Sequence, residues 1–186
     1  MINEARQHNA LTHPHIIKLH HCFMRKNKIY LILEFAENGN LFKYIRKEKL
    51  DTVSIHRYFY QICSAIEFIH GRNLIHRDIK PENILLDNEI NMKLCDFGWS
   101  AENLPYENRV TFCGTLEYMS PEILRGEPQD FNVDIWALGI LLYEMFHKRP
   151  PYSGRTPSEM MKSINQTNVC FEKNVPHEAR DLILRI

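Results

Sequence analysis

The 186-residue chain is sized for one compact domain, and its 44% hydrophobic and 25% charged residues exclude disordered, collagen-like and disulfide-scaffold classes. Twenty-three Lys plus Arg against 23 Asp plus Glu leave zero formal charge, which argues against a general binder of nucleic acid or membrane surface, so any phosphate affinity must be local. The five cysteines, at 22, 63, 95, 113 and 170, are widely spaced with no C-x-x-C pair, a pattern that fits a reducing compartment, cytoplasm or nucleus, better than disulfides or zinc.

Residues 4–12 read as a helix, and 16–23 and 28–35 as strands joined by the polar turn Arg25-Lys26-Asn27-Lys28. The run Ile29 to Leu33 is apolar on both faces, which predicts a buried central strand. Past Asn38-Gly39-Asn40 the period becomes helical. Ile55, Phe59, Ile62, Ile66 and Ile69 recur at spacings of four, three, four and three, one face of a long helix that starts near the capping residues Asp51-Thr52. Ile84-Leu85-Leu86 and Met92-Lys93-Leu94-Cys95 are short apolar segments between polar turns, and 96–120, poor in apolar periodicity, reads as a long functional loop. Val133 to Phe146 is apolar almost all round, which predicts a buried helix, and amphipathic helices are expected near 157–165 and 177–186. Met1 to Ala10 has no apolar segment, and the stretch Ile135 to Tyr143 is too short to span a bilayer. The order predicts an α+β fold, a small strand-containing piece followed by a mostly helical body.

The most informative segment is His76-Arg77-Asp78-Ile79-Lys80-Pro81-Glu82-Asn83, with Asp96-Phe97-Gly98 thirteen residues past Asn83. The pair resembles the catalytic loop and D-F-G motif of the protein kinase family. The resemblance implies that Asp78 orients a substrate hydroxyl and accepts its proton, that Lys80 neutralises the transferring phosphoryl group, and that Asn83 and Asp96 hold Mg²⁺ with ATP as co-substrate. The residue types suit that task, because phosphoryl transfer needs positioning and charge compensation, and Mg²⁺ prefers hard oxygen ligands. Glu34-Phe35-Ala36 is similar to the family's hinge, with Leu33 as gatekeeper. The expected ATP-site residues are thus Leu33, Glu34, Ala36, Glu82, Asn83 and Asp96, and Glu82 also resembles a carboxylate that attracts arginine upstream of the phosphorylated residue.

Other landmarks fall in the family's order. Ser120-Pro121-Glu122 resembles the end of the activation segment, and Asp134-x-Trp136 the start of a buried helix. A carboxylate there must find donors, and the backbone of His76-Arg77 is the expected source. Glu4, ten residues before Pro14 in Leu11-Thr12-His13-Pro14-His15-Ile16, occupies the position of the family's small-lobe helix glutamate. His8, on the same helix, is expected to stack with Leu19, Phe97 and His76. His13, His15, His20 and His21 invite a metal reading, but no carboxylate or paired cysteine completes a site.

Lys80-Pro81-Glu82-Asn83 and Gly114-Thr115 resemble serine/threonine kinases, with Thr115 expected to contact Asp78 and Lys80. Thr111, four residues before Thr115, is the expected activating phosphorylation site, its phosphate paired with Arg77. Arg109, two before Thr111, makes the loop resemble a basic-directed substrate, so autophosphorylation is expected. Trp99-Ser100 after Gly98, the stretch Thr111 to Tyr118, and polar His8 are similar to the Aurora kinases, with departures at Val110 and Ser120. The Aurora likeness implies a mitotic, cell-cycle role, protein substrates with basic residues upstream of Ser or Thr, an Aurora-type activator protein, and association with spindle, centrosome or chromosomes. No nucleic-acid or membrane contact is expected.

The seven glycines, at 39, 71, 98, 114, 126, 139 and 154, contain no G-x-G, and the first lysine is Lys18, after Glu4. The expectation is therefore a partial kinase domain over 1–186, cut at both ends. Residues 1–35 would be the remnant of the small lobe, a helix and two strands, and 36–186 the hinge and large lobe. Glu122 would lack its usual arginine. Two functions follow: an ATP-dependent Aurora-like kinase, or a catalytically inactive truncated pseudokinase acting as a binding module. The first is favoured because every chemical residue that could be present is present, although very weak activity or none is expected of the 186-residue chain alone.

Overall fold

The computed structural model describes residues 8, 10–26, 28–98, 100–102 and 115–186. Glu4, Trp99, Arg109, Val110, Thr111 and Gly114 lie outside them, as does most of the helix expected over 4–12. His8 is helical, but the chain turns at Ala10, and the Leu11 N–H donates to the His8 carbonyl at 3.0 Å. The helix therefore stops short of Leu11-Thr12, as Pro14 disfavours helical backbone at the residue before it.

The strands are β1 (Leu19–Arg25), β2 (Lys28–Leu33), β3 (Leu74–Ile75), β4 (Ile84–Leu86), β5 (Met92–Leu94) and β6 (Ala101–Glu102). The helices are α1 (Leu41–Lys47), α2 (Thr52–His70), α3 (Pro121–Arg125), α4 (Asn132–His147), α5 (Pro157–Gln166) and α6 (His177–Arg185). The strands pair as three antiparallel ladders, β1 with β2, β3 with β6 and β4 with β5. This is an α+β architecture in which the helices hold more residues than the strands.

Helix α2 begins where Asp51 caps it, its carboxylate accepting the Ser54 N–H at 2.7 Å. Its apolar stripe, Ile55, Ile62, Ile66 and Ile69, is buried, with Phe59 packed at the margin. That stripe meets α4, whose residues are buried almost all round, and α6 also packs against α4. One core thus runs from α1 through α2 and α4 to the β4–β5 hairpin. The segment before β1 clips onto that hairpin, with the Ile17 N–H donating to the Leu94 carbonyl and the Leu94 N–H to the His15 carbonyl, both at 2.8 Å.

Three expectations need correction. The apolar run in β2 is not a buried central strand. Among the described residues β2 pairs only with β1, so Tyr30, Ile32 and Leu33 remain exposed. The strand boundaries also shift: Ile16 and Ile17 precede β1, where they join β5, and β2 ends at Leu33 because Glu34 turns its side chain back toward β5. The segment 96–120 is not all loop either, since it holds β6 and a 3₁₀ turn at Leu116–Tyr118. Among the described residues no helix is long and apolar enough to cross a membrane.

Ile66 is 2% exposed at the centre of the α2–α4 contact. Ile66→Ala is expected to lower the unfolding free energy by about 2–5 kcal/mol, read from urea denaturation followed by circular dichroism.

Candidate active site

The site is built around a buried carboxylate. Asp134 stands in the first turn of α4 with no solvent exposure. An anion there requires donors, and three converge on it. Oδ1 accepts the Arg77 N–H at 2.8 Å, while Oδ2 accepts the His76 N–H at 2.9 Å and meets His70 Nε2 at 2.7 Å. The carboxylate thereby holds Arg77 at φ 66, a left-handed conformation that costs a non-glycine residue energy. That turn aims the next residue, Asp78, at the site.

Asp78 is buried, and its Oδ2 accepts from Lys80 Nζ and from Asn83 Nδ2, both at 2.8 Å. Asn83 Nδ2 also donates to the Asp78 carbonyl at 2.9 Å, which leaves the amide oxygen of Asn83 for a cation. Lys80 Nζ donates at 2.9 Å to Thr115 Oγ1. The structure thus brings Asp78, Lys80, Asn83 and Thr115 together, with Thr115 meeting Lys80. Among the described residues Asp78 Oδ1 is buried and has no hydrogen-bond partner. A buried acceptor without a donor is costly, and a hydroxyl brought to this atom would relieve that cost.

Asp96 reaches the cluster through the backbone, since the Cys95 N–H donates to the Asn83 carbonyl at 2.9 Å. Asp96 is itself left-handed, at φ 63, and its exposed carboxylate accepts the Gly98 N–H at 3.3 Å. Asn83 and Asp96 therefore offer the hard oxygen donors that Mg²⁺ requires, and Mg²⁺ is usually bound by one or two carboxylates plus phosphate oxygens rather than by a full protein cage. The donor set fits Mg²⁺ with a nucleotide. Burial, followed by the Asp96 charge, pushes the Cys95 thiol up to about 12.

Phe97 is buried between two histidine rings, His8 at 4.8 Å and His76 at 5.0 Å between centroids. The polar edge of His8 is satisfied by the Ile17 carbonyl, 2.6 Å from Nε2. His76 accepts the Asp78 N–H at Nδ1 (3.3 Å), so its proton sits on Nε2, which donates to the Cys95 carbonyl at 3.1 Å. This ring joins the Asp78 turn to the Asp96 turn. Burial lowers its pKa below the ordinary 6.5, against the opposing pull of Asp134.

Leu33, Glu34 and Ala36 lie across the β4–β5 hairpin from Asp78. Leu33 is 38% exposed, and the Glu34 N–H is spent on the Lys18 carbonyl at 2.8 Å. No hydrogen bond is made by the backbone of Ala36 among the described residues. Glu82 is half-buried in the 3₁₀ turn Pro81–Asn83, and Glu122 is half-buried in α3 with no ion pair among the described residues. His13 and His15 serve structure: His13 Nε2 lies 3.3 Å from Ser64 Oγ, and His15 Nδ1 lies 3.1 Å from the Met92 carbonyl.

Several participants escaped the sequence reading. His70 completes the Asp134 cluster and Gln129 Oε1 accepts from Arg77 at 3.4 Å, yet both come from segments without a motif. Tyr118 donates to the buried Glu144, which also meets Arg46 at 3.4 Å. Burial raises the pKa of both the Glu144 carboxyl and the Tyr118 hydroxyl. A polar residue inside the apolar run 133–146 was the one available signal for Glu144.

The whole chain, residues 1–186, matches the protein kinase domain family. It is 40% identical over 186 residues to an Aurora kinase of Patiria pectinifera, covering 98% of this chain and 46% of the relative. It is 38% identical to Aurora kinase A-A of Xenopus laevis and to Aurora kinase B of Drosophila melanogaster, covering 98% of this chain and 45% and 56% of those proteins. The chain spans about half the length of the curated relatives it matches.

Asp134→Ala strands the His76 and Arg77 N–H groups and is expected to cost about 3–5 kcal/mol in urea denaturation, whereas substitution of exposed Glu89 leaves the midpoint unchanged within about 0.5 kcal/mol. Because the folded pKa of His76 lies below 6.5, the unfolded chain binds the extra proton first. Stability contributed at this ring is therefore complete above that value and is lost as pH falls below it. Urea midpoints of wild type and His76→Phe measured from pH 7.5 to about 5 should show the shallower decline in the variant.

Proposed function

The chain belongs to the protein kinase family, and on that footing we propose that it is an Aurora-type serine/threonine kinase domain that transfers the γ-phosphoryl group of ATP to protein hydroxyls. The reading is carried by Asp78 Oδ1, a buried acceptor without a partner among the described residues, beside Lys80 and Asn83. Asp78 orients the incoming hydroxyl and takes its proton; its other oxygen is held by two donors, so the carboxylate cannot rotate away. Lys80, tethered by Thr115, presents positive charge where the phosphoryl oxygens pass. Asn83 and Asp96 hold Mg²⁺, and the bound Mg²⁺·ATP supplies the phosphoryl group and the charge that offsets it.

In this reading residues 1–35 belong to the small lobe and 36–186 to the hinge and large lobe, with adenine bound along Leu33, Glu34 and Ala36. Glu82 attracts arginine upstream of the acceptor. Glu4, Thr111 with Arg77, and Glu122 serve regulation, with an Aurora-type activator as partner. The names of the relatives support the Aurora type, and the Aurora likeness in turn implies a mitotic role at spindle, centrosome or chromosomes.

The test is transfer of labelled phosphate from ATP, with Mg²⁺, to a serine peptide carrying upstream arginines. Slow incorporation by the wild-type chain should fall about 10²- to 10⁴-fold in Asp78→Asn. Equal incorporation by the two chains removes Asp78 from the role, and Mg²⁺·ATP binding without any transfer identifies a binding module.

A further inference from the structure

The two ends of the nucleotide site rest on one small element. Asn83 immediately precedes β4, and Asp96 follows β5 by two residues. The same hairpin fixes the segment that leaves β2. At its far end the Asn38 N–H donates to the Leu86 carbonyl at 3.0 Å, the Leu86 N–H to the Gly39 carbonyl at 2.9 Å, and Asn38 Nδ2 to the Asp87 carbonyl at 2.6 Å. At its near end the link is charged. Glu34 Oε1 lies 2.7 Å from Lys93 Nζ on β5, and Glu34 Oε2 accepts the Lys18 N–H at 3.0 Å. Both side chains are largely shielded, 13% exposed for Lys93 and 27% for Glu34.

Burial alone would raise the Glu34 carboxyl, but the Lys93 ammonium and the Lys18 amide outweigh it and hold its pKa below the ordinary value. Glu34 is therefore ionised at neutral pH. Its contact with Lys93 is the single ion pair between 33–40 and the β4–β5 hairpin among the described residues. Nothing in the phosphoryl-transfer chemistry uses it, and Lys93 belongs to no motif.

We propose that the Lys93–Glu34 ion pair is a positioning clamp that sets the distance between the adenine-binding segment 34–36 and the metal ligands Asn83 and Asp96. The proposal rests on the nucleotide site of the preceding section. Two subsites held at a fixed separation act as one bivalent site, so a ligand that reaches both gains from the rigidity of the link, while a ligand that occupies one subsite does not. The side chains of Lys93 and Glu34 need not touch the nucleotide, since both Glu34 carboxylate oxygens are taken by Lys93 and the Lys18 N–H and adenine would meet Glu34 through its backbone.

The test titrates Mg²⁺·ATP and, separately, Mg²⁺·tripolyphosphate, which carries the phosphates without the base, into wild type, Lys93→Met, Glu34→Gln and the swap Lys93→Glu/Glu34→Lys. Asp87 and His15 also face Lys93, so Glu34→Gln is the cleaner arm and carries the comparison should Lys93→Met fold poorly. Each single substitution should weaken Mg²⁺·ATP about tenfold, as expected for loss of one charge-assisted link, and leave tripolyphosphate affinity unchanged. The swap should recover part of the loss. Parallel loss for both ligands marks a merely structural pair and overturns the clamp, as does unchanged ATP affinity. If wild type binds neither ligand, the nucleotide site itself fails and the clamp with it, an outcome distinct from the other two.

Discussion

Everything at the site depends on one buried anion. Asp134 enters the core on α4 with no exposure, and its charge is tolerable only because the backbone of His76 and Arg77 and the ring of His70 converge on it. The requirement works in both directions. The carboxylate needs the turn for its donors, and the turn needs the carboxylate to keep Arg77 left-handed. Asp78 inherits its aim from that bargain, and Lys80, Asn83 and Thr115 are arranged around Asp78.

From this anchor the fold passes position outward through short, stiff connections. The His76 ring bridges the Asp78 turn to Cys95, Phe97 is wedged between His76 and His8, and the backbone of Asn83 holds Cys95. The β4–β5 hairpin then spans the gap between the Asp78 turn and segment 34–40. Two left-handed residues without glycine's freedom, Arg77 and Asp96, lie at the corners of this frame. Strain concentrated where chemistry is expected is tolerated because the surrounding core, chiefly the α2–α4 contact, over-determines the backbone.

Helical elements were the most legible. The stripe from Ile55 to Ile69, the Asp51 cap and the apolar run of α4 all state their burial through periodicity alone. Strands were less so. The run Ile29 to Leu33 has the composition of a central strand, yet pairing on one side leaves it exposed, since composition reports the capacity to be buried and not the presence of a neighbour. The pairing of Asp134 with the His76-Arg77 turn was legible because a lone carboxylate at the head of an apolar helix demands donors. His70, Gln129 and Lys93 were silent, because each acquires its role only through a partner that lies 64, 52 or 59 positions away.

What the sequence determined by itself was the chemistry: the spacing of Asp78, Lys80, Asn83 and Asp96, and the family to which that spacing points. Those residues sit close together along the chain, so a local pattern can encode them. What only the tertiary structure decided was which carboxylate oxygen of Asp78 is left without a donor among the described residues, which backbone groups balance Asp134, and which ion pair ties Glu34 to the β4–β5 hairpin. Each of those depends on groups brought together by burial from distant segments, and burial is a property of the packed core rather than of any stretch of sequence.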